Sequence, residues 1–192
     1  PRPALRMEVC AGSARVCLEA GDLQEFLVAL APLLREGALP WAGPGGQAEF
    51  VGLAVLFYSC HHPLAAEIQQ LLRRHAHHAP LAGGPVAFAL AVHWAVRGLD
   101  GGVGLTNYRR FFRLYAAADA AQRVLMASRV EEVRTAALRV LRKAYLALPL
   151  AAAAAALGFA AEEGPGGLDA ARAWLEQHGA PPAGPSLPPR RR

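Results

Sequence analysis

Alanine and leucine dominate this chain, while β-branched residues other than valine nearly vanish: Ile68 is the single isoleucine, and Thr106 and Thr135 are the only threonines. Strands draw on β-branched side chains, whereas alanine and leucine lose little freedom on entering a helix. The chain is therefore expected to be all-α. Hydrophobic residues make up 54% and charged residues 18% of its 192 positions. That is apolar enough for a packed core and long enough for one or two small domains.

Helical spacing and punctuation divide the chain. Val9, Val16, Cys10 and Cys17 predict a first helix from Ala4 to Ala20, broken by Gly21. Asp22 followed by Glu25 reads as a capping box that opens a second helix. Its stripe is Leu23, Phe26, Leu27, Leu30, Leu33 and Leu34, and Gly37 is its stop. After a Pro40 to Gly46 loop come a buried helix from Gln47 to Cys60 and a fourth from Leu64 to His77, with Pro63 at its entry. A fifth follows from Pro85 to Val96, and Gly98 to Gly104 reads as a flexible connection.

A sixth helix starts near Thr106 or Asn107 with Tyr108, Phe111, Phe112 and Tyr115 on one face, a core stripe rather than a base-stacking one. The seventh, from Ala120 to Leu146, is capped by Asp119 with Gln122, and its expected inner stripe is Val130, Val133, Ala137, Val140, Leu141 and Ala144. A short alanine helix to Leu157, a Gly158-Phe159 turn and a last helix from Leu168 to His178 complete the pattern. The Pro- and Arg-rich tail from Gly179 is expected to be disordered.

Cys10 and Cys17 lie about 10.5 Å apart along a helix axis, beyond the roughly 7 Å reach of a disulfide. With Cys60 they are expected in the core of a protein from a reducing compartment. The apolar run from Leu146 to Ala161 is mostly alanine, is broken by Pro149, and falls short of a membrane span. The chain opens on Pro1 rather than Met and reads as a fragment of a longer protein.

Charge is divided unevenly. Residues 1–104 carry 7 Lys/Arg against 8 Asp/Glu, while residues 105–192 carry 13 against 7. A neutral front and a basic back point to a polyanionic partner for the back. Arg109, Arg110 and Arg113 fall off the aromatic face of the sixth helix. Arg139, Arg142 and Lys143 cluster near the end of the seventh. Together they are the candidate phosphate-contacting residues, a set suited to salt-sensitive, sequence-tolerant binding of RNA or DNA. In the last helix Arg172 is opposed by Asp169 and Glu176, which argues against sequence-specific DNA reading.

Catalytic and metal chemistry find little support. His61, His62, His75, His77, His78 and His93 lack a His-Glu-x-x-His helix or a Cys-x-x-Cys pair and read as incidental surface histidines. Ser13, Ser59 and Ser128 have no nucleophile-elbow setting, and Glu131 and Glu132 are placed on a solvated helix side. No cofactor and no enzymatic activity are expected.

Several short strings resemble the Sac-three/GANP family. They are residues 9–14 followed by 18–26, Gln47-Ala48-Glu49-Phe50, and above all Asn107-Tyr108-Arg109-Arg110-Phe111-Phe112-Arg113-Leu114-Tyr115. The strings Leu148-Pro149-Leu150 to Leu157-Gly158-Phe159 and Trp174 to Gly179 are similar to the family's terminal winged helix. The resemblance covers roughly residues 7–179, and looks nearer to the branch of Thp-three and its leukocyte-receptor-cluster relatives than to the large GANP scaffold. It implies a PCI-like fold: stacked helical hairpins over residues 1–104, a long helix and winged-helix-like helix–turn–helix over 105–179, and a tail over 180–192. It also implies a non-enzymatic scaffold, nuclear and also cytoplasmic, in mRNA processing and export coupled to transcription. Such a scaffold pairs with another PCI-domain protein and a small acidic Sem-type subunit and presents a basic surface to RNA or DNA.

One departure from the family stands out. After Gly179 the chain reads Ala-Pro-Pro-Ala-Gly-Pro, which lacks ladder donors, so the wing is expected to be truncated or missing. Two other readings remain open: a PCI subunit of another assembly, such as the proteasome lid or a signalosome, and a helical-repeat interaction module without a nucleic-acid role.

Overall fold

The computed structural model describes residues 3–35, 46–61, 65–75, 84–97, 107–159 and 166–180. Every regular element among them is a helix, in the order α1 (Pro3–Ala20), α2 (Leu23–Leu33), α3 (Gly46–Cys60), α4 (Ala65–Arg74), α5 (Pro85–Val96), α6 (Tyr108–Ala117), α7 (Ala120–Ala144), α8 (Leu150–Ala156) and α9 (Gly167–Gln177). The all-α expectation holds. The stop at Gly37, most of the loop up to Gly46, the connection from Gly98 to Gly104, His62, His77, His78 and the tail beyond Ala180, where a wing would lie, fall outside the described residues.

The chain divides into two units. The first comprises residues up to Trp94 together with Ala118–Ser128; the second comprises Ala95–Ala117 and the chain from Arg129 onward. Helix α7 therefore contributes its first turns to one unit and the remainder to the other.

In the first unit, α1 and α2 form a tight hairpin. Gly21, at φ +72°, ends α1 in a Schellman motif: Gly21 N–H donates to Leu18 and Asp22 N–H to Cys17. Asp22 then caps α2, accepting from Glu25 N–H at 3.1 Å. The buried side of α1 is Ala11, Ala14 and Leu18, not the predicted valine and cysteine stripe. Val9 and Val16 are each 63% exposed. Cys10 and Cys17 are half-buried, and of the three cysteines Cys60 alone is buried. The reason is steric: alanines at the contact let two helix backbones approach closely, so the small residues take the inner face and the valines are left outside.

The Gln47-Ala48-Glu49-Phe50 string ties this hairpin to α3. Gln47 Nε2 donates to the Leu33 carbonyl at 3.1 Å, at the end of α2. Glu49 receives Arg15 through Nε at 3.0 Å and Nη2 at 2.7 Å, which raises the arginine's pKa chiefly through that hydrogen bond. The same guanidinium lies 5.3 Å from the ring centroid of fully buried Phe50. His75, after α4, reaches the next α2 carbonyl, Leu34, through Nε2 at 3.3 Å. Helix ends leave carbonyls without intrahelical partners, and these two side chains supply them.

Helix α3 is apolar all round and buried accordingly, from Phe50 to Phe57 and again at Ser59 and Cys60. Gly52 lets it approach α5: a Cβ there would stand 2.8 Å from the backbone carbonyl of Pro85.

The second unit has its own core, built from Ala137, Leu141, Leu150, Leu157, Phe159 and Leu175, among others, with Tyr108 packed against it. Asn107 caps α6, accepting from Arg110 N–H at 3.1 Å. Phe111 and Phe112 are buried and Tyr108 and Tyr115 half-buried, as the core stripe required. The start of α7 carries the reciprocal capping box expected of Asp119 and Gln122, with bonds of 2.8 and 3.1 Å. Its inner stripe departs from expectation: Val140 is half-buried and Ala144 exposed, while Arg134 and Leu138 are buried.

Two arginines inside this unit are structural. Arg134, 8% exposed, donates from Nε to the Leu157 carbonyl at 3.1 Å and lies 3.9 Å from the centroid of the Phe159 ring. Arg129 pairs with Glu132 one turn along α7. Helix α9 packs on α8 and ends in a second Schellman motif at Gly179, φ +66°, whose Ala180 is buried in the core.

Candidate nucleic-acid interface

All six candidate cations belong to the second unit, and all six are exposed: Arg109, Arg110 and Arg113 on α6, and Arg139, Arg142 and Lys143 on α7. Burial of Phe111 and Phe112 fixes the rotation of α6, and helical periodicity then turns the three arginines outward. On α7, burial of Ala137, Leu138 and Leu141 does the same for Arg139, Arg142 and Lys143.

Tyr145 lies just past the end of α7, two residues after Lys143. The Tyr108 phenol, and less strongly that of Tyr145, raise the pKa of the Arg109 guanidinium above its ordinary value. The Arg109 guanidinium lies 6.0 Å from the centroid of the Tyr108 ring. It also lies on a groove of about 700 Å³, lined by Arg113, Phe112, Ala152, Ala156 and Gly158 among others. At its floor Gly158, at φ +80°, packs its backbone directly on the Phe112 ring, where a Cβ would clash.

Arg142 has a second task that its sequence position did not reveal. Its Nη2 donates to the His178 carbonyl at 2.8 Å, at the end of α9. Arg139 and Lys143, one turn apart on α7, are both exposed. The acids upstream on α7 are engaged rather than merely solvated. Glu131 accepts Trp174 Nε1–H at 2.7 Å and approaches His178 Nε2 at 3.4 Å, while Glu132 pairs with Arg129. The His178 ring stacks on Trp174 with centroids 3.9 Å apart. The signal for this strap was present in the Trp174 to Gly179 string, but spacing alone gave no hint that it reaches Glu131.

His61, His75, His93 and Ser59 of the first unit are packing groups. His61 bonds the Leu125 carbonyl at 3.0 Å and stacks on Phe57, and His75 is buried, so the surface reading is corrected for both of them. Ser59 gives its hydroxyl proton to the Val55 carbonyl at 2.7 Å, so the 3.1 Å contact with His93 Nδ1 makes the imidazole the donor. A buried serine with its proton committed to its own helix is no nucleophile. Among the described residues no group of His, Cys, Asp or Glu is arranged to hold a metal ion, and no helix is long and apolar enough to cross a membrane.

The fold and these exposed cations define an all-α chain of helical hairpins leading to a basic helical unit. The family model of the SAC3/GANP family matches residues 18–165, and the chain belongs to that family. It is also similar to the leukocyte receptor cluster member 8 homolog of Xenopus laevis, 32% identical over 166 residues. That alignment covers 84% of this chain and 19% of the relative, so the chain spans about a fifth of the curated protein it matches.

Proposed function

We propose that this chain is a non-enzymatic scaffold of a nuclear mRNA-processing or export complex, and that the second unit contacts RNA or DNA through its basic face. The observation that carries the reading is the outward presentation of six cations by two helices whose opposite faces are core. Of the acids upstream on α7, Glu132 is paired with Arg129 and Glu131 is held by the Trp174 indole. Phosphates are its natural ligand, and contacts of this kind position a polyanion without reading its sequence. Membership of the SAC3/GANP family supports the role in mRNA export.

Pairing with another PCI-domain protein and a small acidic Sem-type subunit is part of the same proposal. The exposed apolar residues Leu5, Val9 and Val16 on α1 favour a protein partner for the first unit. The nucleic-acid part is tested by ultraviolet crosslinking of bound RNA and mapping of the modified peptides. Adducts are expected within residues 108–115 and 139–145; adducts confined to residues 3–97 would contradict the assignment.

A further inference from the structure

We infer that the basic face selects single-stranded over duplex nucleic acid, with Tyr145 as a base-stacking platform; this rests on the nucleic-acid reading above. Tyr145 is 43% exposed, and its neighbour Leu146 is 75% exposed. Its backbone is nonetheless fixed, because Tyr145 N–H still donates to the Leu141 carbonyl at 2.9 Å. Other aromatics of the second unit are occupied: Phe111 and Phe112 are buried, Tyr115 stacks on Phe111, Tyr108 packs on the core, and Phe159 lies against Trp174. Among the described residues of this unit, Tyr145 is the exposed aromatic.

Its surroundings are cationic from two directions. Lys143 and Arg142 precede it on α7, and Arg109 of α6 stands close enough for the Tyr145 phenol to act on its guanidinium. An aromatic ring amid phosphate-binding groups has a specific use. In a strand without pairing, each base offers a free π-face, and stacking on such a ring adds affinity that every base can supply. In a duplex those faces are covered by neighbouring base pairs, so the ring gains nothing comparable.

The test is fluorescence anisotropy of the whole chain with a short single-stranded RNA, a single-stranded DNA of matching sequence and an RNA duplex of the same length. The variants are Tyr145→Ala and Tyr145→Phe, with folding checked by circular dichroism. Tyr145→Ala is expected to weaken both single strands by roughly tenfold while leaving the duplex unchanged, and Tyr145→Phe, which keeps the ring, to bind like the parent chain. A folded Tyr145→Ala variant with unchanged single-strand affinity, or with equal losses on single strand and duplex, would overturn the stacking role alone. Failure of the parent chain to bind any of the three would overturn the nucleic-acid reading and this inference with it.

Discussion

Gly158 and Arg134 show how much of the second unit hangs on single residues. Gly158 combines a left-handed backbone, φ +80°, with a Phe112 ring 2.2 Å from where a Cβ would be. Gly158→Ala is therefore expected to cost about 2–4 kcal/mol, from backbone strain and a buried clash together, read as a lowered urea midpoint. Arg134 holds the Leu157 carbonyl at the end of α8 from a buried position. Arg134→Met keeps most of the volume but leaves that carbonyl without its donor, at an expected cost of about 1–3 kcal/mol. An unchanged denaturation midpoint would show that water takes over the carbonyl. In the sequence, Gly158 is visible as a turn residue, but Arg134 is indistinguishable from the solvated arginines around it. A charged residue on an otherwise apolar stripe becomes structural only when a carbonyl 23 residues further along the chain faces it.

At the scale of elements, the helix starts were the most legible feature. Asp22 and Asp119 each accept the backbone N–H three residues on, as predicted, and Asn107, expected only near the start of its helix, does the same. Asp119→Ala is expected to cost about 1 kcal/mol, seen as a small drop in melting temperature. The inner faces were less legible. In α1, two alanines and a leucine face inward while two valines face out, because alanine is equally at home on either side and gives no periodic signal. Close approach was also hidden: Gly52 reads as a weakness within an apolar helix, yet it is where α3 meets Pro85 of α5. Gly52→Ala is expected to force the two helices apart and destabilise by about 1–3 kcal/mol, measurable by thermal unfolding. An undiminished melting temperature would mean that the pair can shift without loss.

For the molecule as a whole, the strings that carry the family resemblance turn out to be largely structural. Gln47 and Glu49 fasten α3 to the first hairpin, Asn107 and the aromatics set α6 in its core, and Trp174 to Gly179 straps α9 to α7. The basic face is what remains once those residues have been used. It was legible as charge, since the cations already fell on the back half of the sequence. The sharing of Arg142 with α9 and the nearness of Arg109 to Tyr145 were not, because both depend on tertiary contacts between segments distant in sequence.

Arg142→Glu would confound binding with the loss of its His178 bond, so the decisive variant is the pair Arg139→Glu and Lys143→Glu. The measurement is RNA affinity of parent and variant across a salt series, with folding verified. Each phosphate contact to a single strand contributes about −0.7 to the slope of log affinity against log salt, so losing two contacts should make the slope shallower by roughly 1.4. The account predicts that change together with weaker binding at low salt. A folded variant with the parent's slope and affinity would contradict the claim that this face of the second unit binds nucleic acid.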